Sequence, residues 1–345
     1  MAKRTRIKPF IFMTNNGYMP AKRPFFAANS AFIATGRALF VLVVALFSAV
    51  TTAQTPADWA ALTGDVNFYM ANDLGRNGYY EQKNIAELMG YMGETIKPKC
   101  VVAAGDVHHF DGVESTSDPL WLTNYELIYS HPELMIAWYP LLGNHEYRGN
   151  TQAVIDYSGV SRRWMMPARY YSEVVRGDSV TVRLVLIDTT PLMTAYRAAS
   201  DVYPDACKQD NDEQLAWLDS VLRDATEDWV VVIGHHPVYA DTPKDGSERA
   251  DMQAVLLPVL QRYGNVAIYA CGHIHNFQHI KKAGDAIDYV VNTSASLART
   301  VNPIDGTVFC SPSEGFSVFS ATRDKLNMYF IDKEGKAIHV VTKTK

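Results

Sequence analysis

Seven of the ten histidines in this 345-residue chain fall in four short blocks: Gly105-Asp106-Val107-His108-His109, Gly143-Asn144-His145-Glu146, Gly234-His235-His236 and Gly272-His273-Ile274-His275. Each block begins with a glycine and follows an apolar run. Imidazole nitrogens, a carboxylate and an amide oxygen gathered in this way are a metal-ligand set. There are enough of them for two ions. Asp106 offers two oxygens, so it can bridge two cations. Asn144 supplies a neutral amide oxygen, and His235 sits beside a glycine that permits close approach. His273 and His275, one residue apart, can address one ion or two neighbouring ones. A further carboxylate is needed, and Asp73, just before Gly75, is the candidate. Singly these signals are unspecific: a Gly-Asp pair is mostly a turn, and a lone histidine is mostly a packed or surface residue. His131, His279 and His339 read in that ordinary way. The four blocks in order do not.

Such residues need strand ends to hold them. Runs at 66–72, 100–104, 135–142, 180–188, 229–233 and 266–271 read as strands, the most continuously apolar of them buried on both faces. Residues 81–92 place Ile85, Leu88, Met89 and Met92 at helical spacing, and 212–225 place Leu215, Leu218 and Leu222 on one face. Segments 120–129 and 251–263 also read as helical. From Ile287 onward, short strands alternate with turn signals such as Asp305-Gly306 and Glu334-Gly335. Strand–helix alternation predicts an α/β fold, and the β-rich last third predicts a mixed sheet or sheet pair. No repeat or long linker interrupts residues 54–345, which read as one domain. In open α/β sheets ligands bind beyond the carboxyl ends of strands, and all four blocks fall there.

The order Asp73-Leu74-Gly75, Gly105-Asp106, Gly143-Asn144-His145-Glu146, Gly234-His235-His236 and Gly272-His273-Ile274-His275 resembles the calcineurin-like metallophosphatase superfamily. Within it the chain is similar to the mammalian-type, tartrate-resistant purple acid phosphatases. The resemblance spans roughly 66–280 and includes Trp217-Leu218, Tyr157-Ser158 and Arg163-Trp164. It implies two mixed β-sheets packed as a sandwich and flanked by helices. It also implies a dinuclear centre. One ion would take Asp73, Asp106, the residue at 109 and His275. The second would take Asp106 as the bridge, Asn144, His235 and His273.

Position 109 departs from the family pattern. The purple enzymes have a tyrosine there, whose phenolate on ferric iron gives their colour; this chain has His109. Imidazole also binds iron, zinc or manganese, so the resemblance with this exchange implies a colourless site. His108 stays open as the alternative ligand. His145 resembles the family's outer-sphere histidine, which binds phosphate and protonates the leaving group, with a purely structural role as the alternative. A further family histidine is missing from 237–250, where Lys244 is the available cation, though a poor acid near neutral pH. His236 reads as a loop or rim residue.

The implied activity is acid-phosphatase-like hydrolysis of phosphate monoesters, small or protein-borne, by metal-activated hydroxide, with Asp106 and His145 catalytic. A phosphodiesterase or nucleotide hydrolase of the same superfamily is the first alternative. A secreted, non-catalytic metal- or phosphate-binding protein is the second. The substrate rim is expected from 148–169, 190–210 and 295–315.

The N-terminus carries a different message. Residues 1–53 hold seven basic residues and no acidic one, then a thirteen-residue apolar run from Ala38 to Val50 and a small-residue exit, Thr51-Thr52-Ala53. This order describes a secretory signal peptide, with Met13 or Met19 as alternative starts and a membrane anchor as the alternative reading. The run is short of the roughly 20 apolar residues that span a bilayer. The expectation is a secreted or periplasmic monomer with no stable membrane insertion once the signal is removed. Without it, the chain has twelve more acidic than basic residues, which excludes non-specific nucleic-acid binding. Cys100 and Cys271 read as buried thiols. Cys207 and Cys310, in polar stretches, are candidates for a disulfide in an exported protein.

Overall fold

The apolar runs become the inner strands of two sheets. The computed structural model describes residues 56–244 and 246–345. Along the chain the strands are β1 (Val66–Ala71), β2 (Cys100–Ala104), β3 (Ala137–Leu141), β4 (Tyr171–Arg176), β5 (Thr181–Leu186), β6 (Trp229–Ile233), β7 (Val266–Cys271), β8 (Phe277–Lys281), β9 (Asp288–Val291), β10 (Thr307–Ser311), β11 (Gly315–Ala321), β12 (Lys325–Asp332) and β13 (Ala337–Thr344). The first sheet has the order β13-β12-β11-β1-β2-β3 and the second β10-β8-β9-β7-β6-β5-β4. Neighbours β1–β2–β3 run parallel, as do β5–β6–β7 and β7–β9; the remaining pairs are antiparallel. Every residue of β1, β2, β6 and β7 is buried, as parallel strands covered on both faces must be. The two mixed sheets with flanking helices are the architecture expected from the resemblance.

The helix Gln82–Ile96 buries Ile85, Ala86, Met89, Met92 and Ile96 on one face. It ends at Lys97, which takes a left-handed conformation (φ 53°) and bonds back to the Gly93 carbonyl, with Pro98 next in line. The helix expected at 212–225 is Asn211–Asp224, started by Asp210, whose carboxylate accepts the Glu213 N–H.

Two helical expectations hold with a different form or different bounds. Segment 120–129 forms a wide π-helical turn, Leu122–Glu126. Gln82 takes the Asn124 carbonyl from the helical ladder by donating its Nε2 to it. Segment 251–263 starts earlier and divides into Ser247–Val255 and Leu257–Gln261; Pro258 has no N–H to continue the ladder. The disulfide expectation fails. Cys207, in the short turn Ala206–Lys208, and Cys310, on β10, are unbridged thiols. The region read as a signal, 1–53, lies outside the described residues. Among those described, no helix is long and apolar enough to cross a membrane.

Candidate metal centre

Asp73 lies two residues past β1, Asp106 two past β2, Asn144 three past β3 and His235 two past β6, while His273 and His275 follow β7. Each sheet therefore presents the carboxyl ends of parallel strands to one place. A single bridge between Asn72 and Ser294 spans that place. Four of the residues that would carry the chemistry sit in the left-handed region: Asp73 (φ 52°), Asp106 (54°), His273 (72°) and His275 (65°). Non-glycine residues seldom adopt it, and such strain persists only where surrounding structure enforces it. The leading glycines make room for these turns. A Cβ on Gly143 would stand 2.2 Å from Asp106 Oδ1, and one on Gly272 would stand 2.4 Å from Asn72 Nδ2 and 2.8 Å from Asp73 Oδ2.

The two carboxylates each present one oxygen inward. Asp73 Oδ2 accepts from Asn72 Nδ2 at 2.7 Å and from the His273 N–H at 2.9 Å, leaving Oδ1 facing His275 Nε2 at 3.0 Å. Asp106 Oδ1 accepts the His145 N–H at 2.9 Å. Its Oδ2 faces His235 Nε2 at 3.1 Å, His109 Nε2 at 3.5 Å and His145 Nε2 at 3.8 Å. His235 Nδ1 donates to the Ala104 carbonyl at 2.9 Å, which fixes the tautomer and leaves Nε2 open. His273 Nδ1 lies 3.3 Å from that Nε2. Ligand atoms of Asp73, His109 and His275 lie within 4.8 Å of one another, as do those of Asp73, Asp106 and His235 and those of Asp106, His109 and His145.

Several of these atoms are stranded. Asn144 Oδ1, His275 Nδ1 and both ring nitrogens of His109 are buried with no hydrogen-bond partner among the described residues, and Asp73 Oδ1 has only the His275 ring beside it. Leaving such an atom unpaired costs about 1–3 kcal/mol, so the cluster fits cations that would satisfy it. Both carboxylates remain ionised. Burial opposes their charge, but the His275 ring beside Asp73 and the His235 ring beside Asp106 hold them well below the ordinary range. The same contacts act on His235: burial disfavours its charged form, yet Asp106 and the Ala104 carbonyl raise it to about 9. A cation in the site would displace that proton.

Supporting residues missed in the sequence surround this set. The buried Glu146 carboxylate accepts the N–H groups of Asp106 (2.9 Å), Gly143 (2.8 Å) and His108 (3.1 Å), and so ties two of the blocks together. Glu248 Oε2 lies 3.2 Å from His273 Nε2, and Tyr196 donates its hydroxyl to the other oxygen at 2.8 Å. Lys244 Nζ lies 2.5 Å from the same nitrogen. Nε2 either accepts from Lys244 or donates to Glu248, and a ligand on Nδ1 selects the second. Ser294 and Ser296 donate their hydroxyls to the Asp73 carbonyl at 2.9 and 3.0 Å. Only Glu146, inside a glycine-led block, and Lys244, the cation where a family histidine is missing, carried a signal in the sequence.

One histidine falls elsewhere than expected, and the open alternative at position 108 points away from the cluster. His236 is not a rim residue: it is buried, with Nδ1 2.8 Å from Thr189 Oγ1 and Nε2 3.3 Å from the Tyr196 hydroxyl. His108, the alternative to His109, packs edge-on against Trp121 and lies 3.4 Å from Asn124 Nδ2, while His109 faces Asp106. His279 is an ordinary packed residue, bonded to Asp288 and His339.

Residues 60–277 match the family model of calcineurin-like phosphoesterases. The chain is 30% identical over 296 residues to Purple acid phosphatase 3 of Arabidopsis thaliana, covering 81% of this chain and 78% of that one. It is 34% identical over 270 residues to Tartrate-resistant acid phosphatase type 5 of Oryctolagus cuniculus, covering 73% and 81%. In fold it is similar to GAP50, the anchor in the inner membrane complex of Plasmodium, with a TM-score of 0.68 at 20% identity over 81% of this chain and 88% of the other. A dimetal phosphatase from Danio rerio is also similar in fold, with a TM-score of 0.58 at 16% identity over 81% and 99%.

Proposed function

The chain belongs to the calcineurin-like phosphoesterase family, and from that premise we propose that it is a phosphatase hydrolysing phosphate monoesters at a dinuclear metal centre. Asp73, Asp106, His109 and His275 would hold one ion; Asp106, Asn144, His235 and His273 would hold the other. The observation that carries this reading is the convergence of the His235 and His109 rings on Asp106 Oδ2 at 3.1 and 3.5 Å, beside buried ligand atoms of His109, Asn144 and His275 that have no hydrogen-bond partner among the described residues. Two ions in such a site activate water and clamp the oxygens of an in-line displacement. His109 in place of a phenolate suits a divalent ion, with iron, zinc and manganese the candidates.

The chain's own residues set the rest of the chemistry. The Ala104 carbonyl and Glu248 orient the rings of His235 and His273, as second-layer partners of metal-binding histidines do. Burial and the nearby Arg299 oppose the charge of both Arg76 and Lys244, while Asp73 and Asp106 favour it. The three cations give an acidic chain a local cationic face toward a phosphate dianion. His145 Nδ1 donates to the Phe110 carbonyl at 2.5 Å, so Nε2 is the atom that exchanges a proton with the leaving oxygen. The basic, apolar and small-residue order of 1–53 supports export to the periplasm or exterior.

The test is substitution of Asp106, Asn144 or His273 by alanine in metal-reconstituted protein. Each is expected to lower kcat/KM for p-nitrophenyl phosphate by at least about 100-fold. Full activity in all three would overturn the assignment. Preference for bis(p-nitrophenyl) phosphate over the monoester would move the enzyme to the phosphodiesterases.

A further inference from the structure

Beside the metal centre lies a cavity of about 500 Å³ whose lining includes Arg76, Tyr79, Tyr80, His109 and Phe110. Three of these are large apolar residues held out in solvent: Tyr79 is 73% exposed, Tyr80 69% and Phe110 63%. Aromatic rings gathered around one cavity mark a binding surface rather than scattered surface residues. Tyr80 also holds a left-handed backbone conformation (φ 55°), which a bulky residue seldom adopts.

Arg76 forms the polar part of the lining. It is only 8% exposed, and its guanidinium lies over the Phe110 ring at 4.8 Å. Its Nε and Nη1 are buried with no hydrogen-bond partner among the described residues. Unpaired buried donors of a cation call for an oxygen acceptor. His109 belongs both to this cavity and to the centre, standing 3.5 Å from Asp106 Oδ2. The cavity therefore begins where a phosphoryl group would end. Its volume suits part of a small molecule, and its walls favour a flat ring.

Resting on the phosphatase reading, we propose that this cavity is the leaving-group subsite and that it takes a planar aromatic group carried by the alcohol of a phosphate monoester. Tyr79, Tyr80 and Phe110 contact the ring, and Arg76 donates to the oxygen that joins the alcohol to phosphorus. This places a specificity surface at 76–80 and 110, outside the segments 148–169, 190–210 and 295–315 expected to form the rim.

The experiment compares benzyl phosphate with n-propyl phosphate on manganese-loaded enzyme. Both have primary alcohol leaving groups, so the ratio of kcat/KM reads the ring. The wild type is expected to favour the benzyl ester by about tenfold or more, and the double variant Tyr79→Ala/Tyr80→Gly to bring the ratio close to one. Glycine at 80 accepts the left-handed backbone, so the variant keeps its fold. Independently of any variant, benzylphosphonate is expected to inhibit the wild type about tenfold more tightly than propylphosphonate. A wild-type ratio near one, equal inhibition by the two phosphonates, or an unchanged ratio in the variant would each overturn the subsite. Hydrolysis of neither ester would instead overturn the phosphatase reading beneath it.

Discussion

Asp106 carries the most at the scale of single residues, since one oxygen is pinned by the His145 N–H and the other is shared among three imidazoles. His145 differs from the other rings. Its Nδ1 is committed to Phe110, and burial keeps its pKa below the ordinary imidazole value despite Asp106 nearby. Protonating a leaving oxygen requires the charged ring, and the charged fraction grows as pH falls. With alkyl phosphates, kcat is therefore expected to fall as pH rises through a pKa below 6.5, the ordinary histidine value. His145→Gln is expected to lower kcat by about 100-fold or more and to abolish that limb of the profile. An unchanged pH profile in the variant would assign the proton to another group.

At the scale of elements, the centre is a meeting of strand ends, and its precision comes from what holds those ends. Glu248, on the helix Ser247–Val255, reaches His273 from outside. Glu248→Gln is expected to weaken metal binding by about 10- to 100-fold, read by competition with a chromophoric chelator. Unaltered affinity would show that the contact only packs. The strand ends were legible because burial on both faces demands continuous apolar runs such as Trp229–Ile233, and because glycines had to lead the turns that follow. Glu248, Tyr196 and the Ser294–Ser296 pair were not legible. Their contacts join positions far apart in the chain, and nothing local distinguishes them from surface or loop residues. The strand Tyr171–Arg176 was missed because its mixture of polar and partly buried residues lacks a clear period. The π-helical turn and the position of His236 were missed because side chains from other segments decide them.

At the scale of the molecule, a similar fold serves GAP50, the anchor in the inner membrane complex of Plasmodium, so fold alone does not assign chemistry; the proposal rests on the buried ligand set. The net acidity of the chain hides the cationic face of Arg76, Lys244 and Arg299, which only folding assembles. The two sheets are also tied by charge away from the site. Asp288 on β9 receives His279 of β8 at 2.8 Å and Lys343 of β13, in the other sheet, at 2.6 Å. Burial opposes its ionisation, but these donors hold its carboxyl below the usual range. A depressed folded pKa gives stability that is present above the unfolded value and lost as pH falls below it. Asp288→Asn is expected to cost about 1–3 kcal/mol in denaturant unfolding at pH 7, with the gap to wild type closing as pH drops below about 4. An equal gap at both pH values would contradict this role.

Two ions bound in one chain are proposed to make the phosphatase. This is tested most directly by adding manganese stepwise to chelator-stripped protein while following hydrolysis of p-nitrophenyl phosphate. Activity is expected to be absent without metal and to reach its plateau at two ions per chain. Hydrolysis that needs no metal, or a plateau at one ion, would contradict the account.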